Sequence, residues 1–284
     1  MHKLIKIASY KRHIASNHER MFENVFDWEH LPHLHSRTFS SINLLAKNRK
    51  TLKFEVGLWP AVFGLKQTIK LQACKRRRTW IVRVLAGFMK GLIIRSRVGI
   101  EKPEGFDVQV NFYIPRSKWY FALLGPVLKI SYQRLYDEDV AMMTGRQKYL
   151  DNKTTTKNSN QSSLIIGREK DISFPHPFNF QGKSFLLAKY ENNWIAYSAY
   201  CPHMQRQFSD LEIINGIIRC PWHGYEFDLK TGLSKQSNCR LTPAPRILKE
   251  GDYLRVVENK YGNQKASLGK GNPRSRNESL EQAF

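Results

Sequence analysis

The sequence predicts an α+β protein of two parts: a helix, a run of antiparallel strands and a long terminal helix, followed by a smaller all-β domain. Three observations carry this reading. Periodic segments occur in that order, residues 151–163 contain no apolar side chain, and 41% hydrophobic content in 284 residues is enough for a core in each part.

Residues 16–26 have helical periodicity, and the helix is expected to stop near Pro32. Residues 51–59, 67–73, 79–85, 92–98 and 106–113 alternate as successive strands. Residues 127–150 follow Gly125–Pro126 without a further proline, which predicts the long helix. The stretch 151–163 reads as a linker by composition. Short β-rich runs then recur at 184–189, 194–197, 217–219, 225–228 and 253–257, punctuated by Gly, Pro and Asn. The expected division is a domain at 1–150, a linker at 151–163, a second domain at 164–260 and a polar tail at 261–284.

Charge is the informative part of the composition. Lys and Arg number 46 against 24 Asp and Glu, and residues 1–150 hold 27 of the bases with 11 of the acids. Such a surplus attracts anionic partners and says little about fold. The densest run, Lys75 to Arg78, has no aromatic interleaving and no nucleic-acid motif, so it reads as a solvated loop. The basic first residues have too short an apolar run for a signal peptide, and residues 81–100 are interrupted by four bases, which excludes a membrane span there. A cytoplasmic protein with reduced thiols is expected, leaving the four cysteines open to metal chemistry.

Two ligand pairs stand out, Cys201-Pro202-His203 and Cys220-Pro221-Trp222-His223, with sixteen residues between His203 and Cys220. A Cys and a His two or three residues apart can face one metal site from a single tight loop. Two thiolates and two neutral imidazoles suit a two-iron cluster, and the imidazoles raise its potential. The alternative is structural zinc, although zinc fingers usually pair Cys with Cys and His with His. Cys74 and Cys239 are left over and read as buried thiols.

These residues resemble the Rieske [2Fe-2S] family, whose pattern is C-x-H, a spacer of this length and C-x-x-H. The flanks agree: Gly216, Gly224, Phe227, Asp228 and Gly232, then L-T-P-A-P at 241–245 like the family's cluster-shielding proline loop. The resemblance implies a [2Fe-2S] cluster on Cys201, His203, Cys220 and His223. The second loop reads C-P-W-H-G and neither loop has the extra cysteine of the respiratory Rieske proteins, so the form looks like that of oxygenases and Rieske ferredoxins.

Near the N-terminus, E-N-V-F-D-W-E-H-L-P-H-L-H places Glu23, Asp27, His30 and His35 on every position of (D/E)-x3-D-x2-H-x4-H. This is similar to the mononuclear-iron signature of Rieske non-haem iron (ring-hydroxylating type) oxygenases. Two imidazoles and one carboxylate leave positions open on Fe(II). Pro32 is expected to break the chain so that His35 returns to the metal of His30. The resemblance implies a carboxylate ligand from a late helix, Asp139 in L-Y-D-E-D-V-A-M-M-T-G-R-Q, with Glu138 or Asp137 as substitutes. It gives Asp27 the role of electron bridge, hydrogen-bonding an iron-ligating histidine and, across a subunit boundary, His203 or His223. His33 has no counterpart.

The domain order is the reverse of that family's. The resemblance further implies a START-like helix-grip N-terminal domain, mononuclear Fe(II), a reductase or ferredoxin donor, a small organic substrate with dioxygen, and a homotrimer. The competing expectation is a Rieske electron-transfer protein fused to a non-catalytic helix-grip ligand carrier. Neither reading needs a specific nucleic acid or a membrane span.

Overall fold

The computed structural model describes residues 3–153 and 161–259. Contacts divide them into two compact units that part between Gln147 and Lys148.

The first unit is a seven-stranded antiparallel sheet holding a long helix. Its strands are β1 (Leu4–Ile14), β2 (Phe39–Asn48), β3 (Thr51–Leu58), β4 (Lys66–Cys74), β5 (Thr79–Ala86), β6 (Ile93–Val98) and β7 (Phe106–Pro115), in the spatial order β1-β7-β6-β5-β4-β3-β2. Strand alternation decides which face is core. Along β7, Phe106, Val108, Val110, Phe112 and Ile114 are at most 1% exposed, while the residues between them are half-buried. Removing a Phe, Val or Ile side chain from water contributes about 1.5–3 kcal/mol, so this face anchors the sheet. Gly105, just before β7, has φ +125°, and a Cβ there would stand 2.1 Å from the Ile14 carbonyl oxygen. Only glycine lets the chain pass the end of β1 so closely.

Between β1 and β2 lie α1 (His18–Phe26) and the single turn α2 (Leu31–Leu34). Asn17 caps α1, its side chain accepting the Glu19 N–H at 2.7 Å. Pro32 does not break a helix. It occupies the first turn of α2, where no N–H is required. After a 3-10 segment at Arg116–Leu124, α3 (Gly125–Lys153) runs back over the sheet. Leu128, Tyr132, Tyr136, Val140 and Met143 recur at helical spacing and join the sheet's core. This is the α+β helix-grip arrangement with its long terminal helix.

The second unit is all-β and built from three three-stranded sheets. They are β8 (Ser163–Arg168) with β15 (Arg246–Glu250) and β16 (Tyr253–Val257); β9 (His176–Phe180), β10 (Lys183–Tyr190) and β11 (Asn193–Ser198); and β12 (Ile213–Ile214), β13 (Ile217–Arg219) and β14 (Glu226–Asp228). Phe178, Phe180, Phe185, Leu187, Leu254 and Val256 form a core cluster between the first two sheets. α3 continues through residues 151–153 and β8 begins at Ser163, both inside the stretch expected as a linker. Residues 154–160 of that stretch, and the expected tail at 261–284, lie outside the described residues.

Lys75–Arg77 form a 3-10 turn of the β4–β5 hairpin, with Arg76 and Arg77 exposed as a solvated loop requires. Cys74 and Cys239 are half-buried rather than buried, because one ends β4 and the other lies in an irregular loop. No described helix is long and apolar enough to cross a membrane.

Candidate metal centres

Two loops of the second unit carry the Cys–His pairs, and their backbones are wired alike. Cys201 N–H donates to the Arg206 carbonyl at 2.8 Å, and Gln205 N–H to that of Cys201 at 3.0 Å. Cys220 N–H donates to Tyr225 and Gly224 N–H to Cys220, both at 2.8 Å. Each loop therefore closes its first residue onto its sixth and turns on a fifth with left-handed φ, 57° at Gln205 and 68° at Gly224. Gly224 adopts that conformation without a Cβ penalty.

The loops aim backbone donors at sulfur. Cys201 Sγ receives hydrogen bonds from the N–H groups of His203 and Met204, and Cys220 Sγ one from that of Trp222. Such bonds favour thiolate over thiol. Cys201 and Cys220 are both buried and unbridged, and their sulfurs lie within hydrogen-bond reach of each other. Two sulfurs that close cannot ionise independently. The Cys201 contact holds Cys220 below the ordinary thiol range, and the same contact pushes Cys201 above it. The imidazoles of His203 and His223 meet edge-on with ring centroids 4.3 Å apart, and Tyr225 flanks them at 5.1 and 5.7 Å. Touching thiols and touching imidazoles, with N–H groups directed at sulfur, fit a [2Fe-2S] cluster with one iron on each pair.

The second centre lies in the first unit. His30 and His35 are the N-cap and C-cap of α2, so one helical turn brings their rings to 5.0 Å while His33, between them, is exposed. Asp139 comes from the buried stripe of α3. His35 Nε2 is 3.0 Å and His30 Nε2 3.5 Å from Asp139 Oδ1, and all three residues are at most 7% exposed. One donor atom from each falls within 4.8 Å of the others. Each imidazole turns its other nitrogen to a second carboxylate: His35 Nδ1 to Glu138 Oε2 at 2.6 Å, His30 Nδ1 to Asp27 Oδ2 at 3.7 Å. Asn24 Nδ2 donates to Asp139 at 2.8 Å.

Burial opposes a charge on His35, but hydrogen bonds and charge from Asp139 and then Glu138 outweigh it and hold the pKa above the usual histidine value. Burial likewise pushes Asp139 up, yet His35, His30 and Asn24 hold it below the usual carboxylate range. A buried carboxylate costs several kcal/mol unless it is paired, so this cluster is built to hold positive charge beside Asp139. Two inward imidazole nitrogens, one inward carboxylate and an outer carboxylate on each imidazole fit a divalent ion such as Fe(II).

The other acidic residues have separate partners. Asp137 faces Arg12, and Glu23 binds Arg20 and Arg146, both at 2.8 Å, tying α1 to α3. Asn24 and the bracing position of Glu138 were not singled out by sequence. One signal for Asp139 was available without any resemblance, since it interrupts an apolar stripe that otherwise faces the core.

A family profile described as the Rieske [2Fe-2S] domain matches residues 162–250. Among curated proteins none matches the chain in sequence. Among solved structures, the ferredoxin of carbazole 1,9a-dioxygenase from Nocardioides aromaticivorans is 17% identical and covers 35% of this chain and 100% of its own, with a TM-score of 0.31. The Zhui aromatase/cyclase from a Streptomyces species is 10% identical over 51% of this chain and 96% of its own, with a TM-score of 0.43. Truncated norcoclaurine synthase from Thalictrum flavum is 12% identical over 49% and 92%, with a TM-score of 0.38. The matched profile and the wiring of the two loops agree: residues 162–250 are a Rieske [2Fe-2S] domain, which gives them an electron-transfer role, and in sequence they follow the domain of the seven-stranded sheet and long helix.

Proposed function

We propose that the chain is an oxygenase whose two domains, at 1–150 and 164–260, divide electron delivery from substrate chemistry. The observation that carries this reading is the buried His30–His35–Asp139 cluster with a carboxylate behind each imidazole. Bound there, mononuclear iron supplies activation of dioxygen against an organic substrate. The residues do the rest. His30 and His35 present Nε2 as the two inward donors, and Glu138 and Asp27 stand on the Nδ1 side and keep the rings oriented. Asp139 supplies the one inward charge, fixed by Asn24. Burial keeps water from the donors.

Cys201, His203, Cys220 and His223 would hold the cluster, which would supply one-electron transfer from a reductase or ferredoxin. Asp27, 3.7 Å from His30 Nδ1, would serve as the bridge between the two sites, with a homotrimer pairing domains of neighbouring chains. The test is iron and acid-labile sulfide per chain on anaerobically purified protein, beside His30→Ala/His35→Ala. Roughly three iron falling to about two, with sulfide constant at about two, supports the reading. About two iron in both proteins despite added Fe(II) overturns it and leaves an electron-transfer domain fused to a ligand carrier.

A further inference from the structure

The strand register places three connections at one end of the seven-stranded sheet. Leu58 pairs with Phe39, Gly57 with Lys66, Thr68 with Ala86, Ile93 with Tyr113, and Leu4 with Pro115. The β3–β4 turn, the β5–β6 turn and the segment after β7 therefore emerge side by side. They are also in contact. A Cβ on Gly87 would stand 2.6 Å from the Lys66 carbonyl oxygen, and one on Gly91 3.1 Å from Pro115 Cγ.

Large apolar side chains at the tips of these connections face outward. Trp59 is 59% exposed, Phe63 68%, Phe88 50%, Trp119 69% and Leu123 85%. Leaving that much apolar surface exposed in one place is unusual away from a binding site. The connections at this end carry bases only, although Glu55 of β3 reaches Lys66 Nζ at 3.0 Å. Residues 58–66, 85–93 and 115–130 contain Lys66, Lys90, Arg116, Lys118 and Lys129 and no acidic residue.

We propose that this end of the helix-grip domain docks onto an anionic lipid bilayer, the apolar tips entering the headgroup–acyl boundary and the lysines meeting lipid phosphates. Three arguments select that occupant. Projecting Trp and aliphatic tips with a basic rim are the pattern of interfacial membrane binding. Four of the five bases are lysine, which is depleted in protein–protein interfaces but attracted to anionic headgroups. A second copy of the chain would set Lys90, Arg116, Lys118 and Lys129 against themselves.

The test is co-sedimentation of the full chain with phosphatidylcholine vesicles with and without phosphatidylglycerol. The chain is expected to sediment with the anionic vesicles and to be released by salt. Trp59→Ser/Phe63→Ser/Leu123→Ser should lower the bound fraction roughly tenfold or more, and Lys118→Ala about fivefold. Unchanged [2Fe-2S] absorption and circular dichroism show that the variants fold. Lipids brominated on the acyl chain should quench tryptophan fluorescence in the wild type and much less in Trp59→Phe/Trp119→Phe. The proposal is overturned by any of four results: no sedimentation with anionic vesicles, full binding by the triple serine variant, quenching that survives the double Phe variant, or a lipid-free dimer that the triple variant dissolves.

Discussion

Cys201 and His203 stand two residues apart in one loop and Cys220 and His223 three apart in its twin, whereas Asp139 reaches His35 across 104 residues of sequence. The first site needs two tight turns to form. The second needs α1, α2, α3 and the sheet all in place before its donors meet. The electrostatics differ as well. Sulfur in the loops is stabilised by backbone N–H groups, which cannot titrate, while the imidazoles of the second site are braced by carboxylates, which can. A locally wired site resists changes elsewhere in the fold, and a site assembled across the fold registers them.

The largest expected effect comes from the local site. Cys220→Ser removes one of the touching sulfurs, and the visible absorption of the [2Fe-2S] cluster should disappear. If the two sites are independent, Fe(II) or Co(II) titration of the His30–His35–Asp139 cluster in that variant should match the wild type. Loss of both sites together would break the comparison.

Glu138→Gln probes the opposite design. Glutamine keeps the length and can still accept the His35 Nδ1–H, but it lacks the charge that favours a basic imidazole. Affinity for a divalent ion at the second site should fall about 10- to 100-fold while the cluster spectrum stays unchanged. An unchanged affinity would make the 2.6 Å contact incidental to metal binding.

The same contrast explains what was legible in the sequence. The Cys–His loops announce themselves because their chemistry is contiguous. Strands β3 to β7 were legible because each alternates over a stretch bounded by turns. β1 was not recognised as a strand: Lys6, Lys11 and Arg12 make it look like a charged leader, and what fixes it is pairing with β7 about a hundred residues on. β2 was missed for a related reason. Leu45 breaks the run of polar outward positions, and the inward ones are only half-buried, so the alternation is weak. His30 and His35 were visible as a local cluster, but their meeting depends on Pro32 starting a helical turn, where a break was expected. Asp139 was reached through resemblance, and Glu138 was ranked as a substitute ligand when its place is behind His35. Consecutive helical residues point about 100° apart, and which of Asp137, Glu138 and Asp139 faces inward depends on how α3 seats in the sheet.

The smallest expected effect tests whether the assembled site feels a distant anchor. Glu101, in the β6–β7 connection, accepts the His18 N–H at 3.0 Å and also meets the His18 ring, pinning the first turn of α1. The hydrogen bond from the His18 ring, opposed by burial and aided by the backbone N–H, holds the Glu101 carboxyl below its usual value near 4.5. A depressed carboxylate pKa gives stability that is present above the unfolded value and is lost as pH falls through the folded one. The contribution should therefore persist at neutral pH and disappear below pH 4.5. Because the pair is partly solvated, its size should be no more than about 0.5 kcal/mol. Glu101→Gln should lower the thermal midpoint of the helix-grip domain slightly at neutral pH and converge with the wild type in acid. α1 carries Asn24 and leads into His30, so the variant should also weaken Fe(II) binding at the second site by a small factor, with the [2Fe-2S] absorption unmoved. Equal midpoints for the two proteins at neutral pH would show that α1 is held by its apolar face alone, and the second site would then be less dependent on the surrounding fold than its long-range assembly implies.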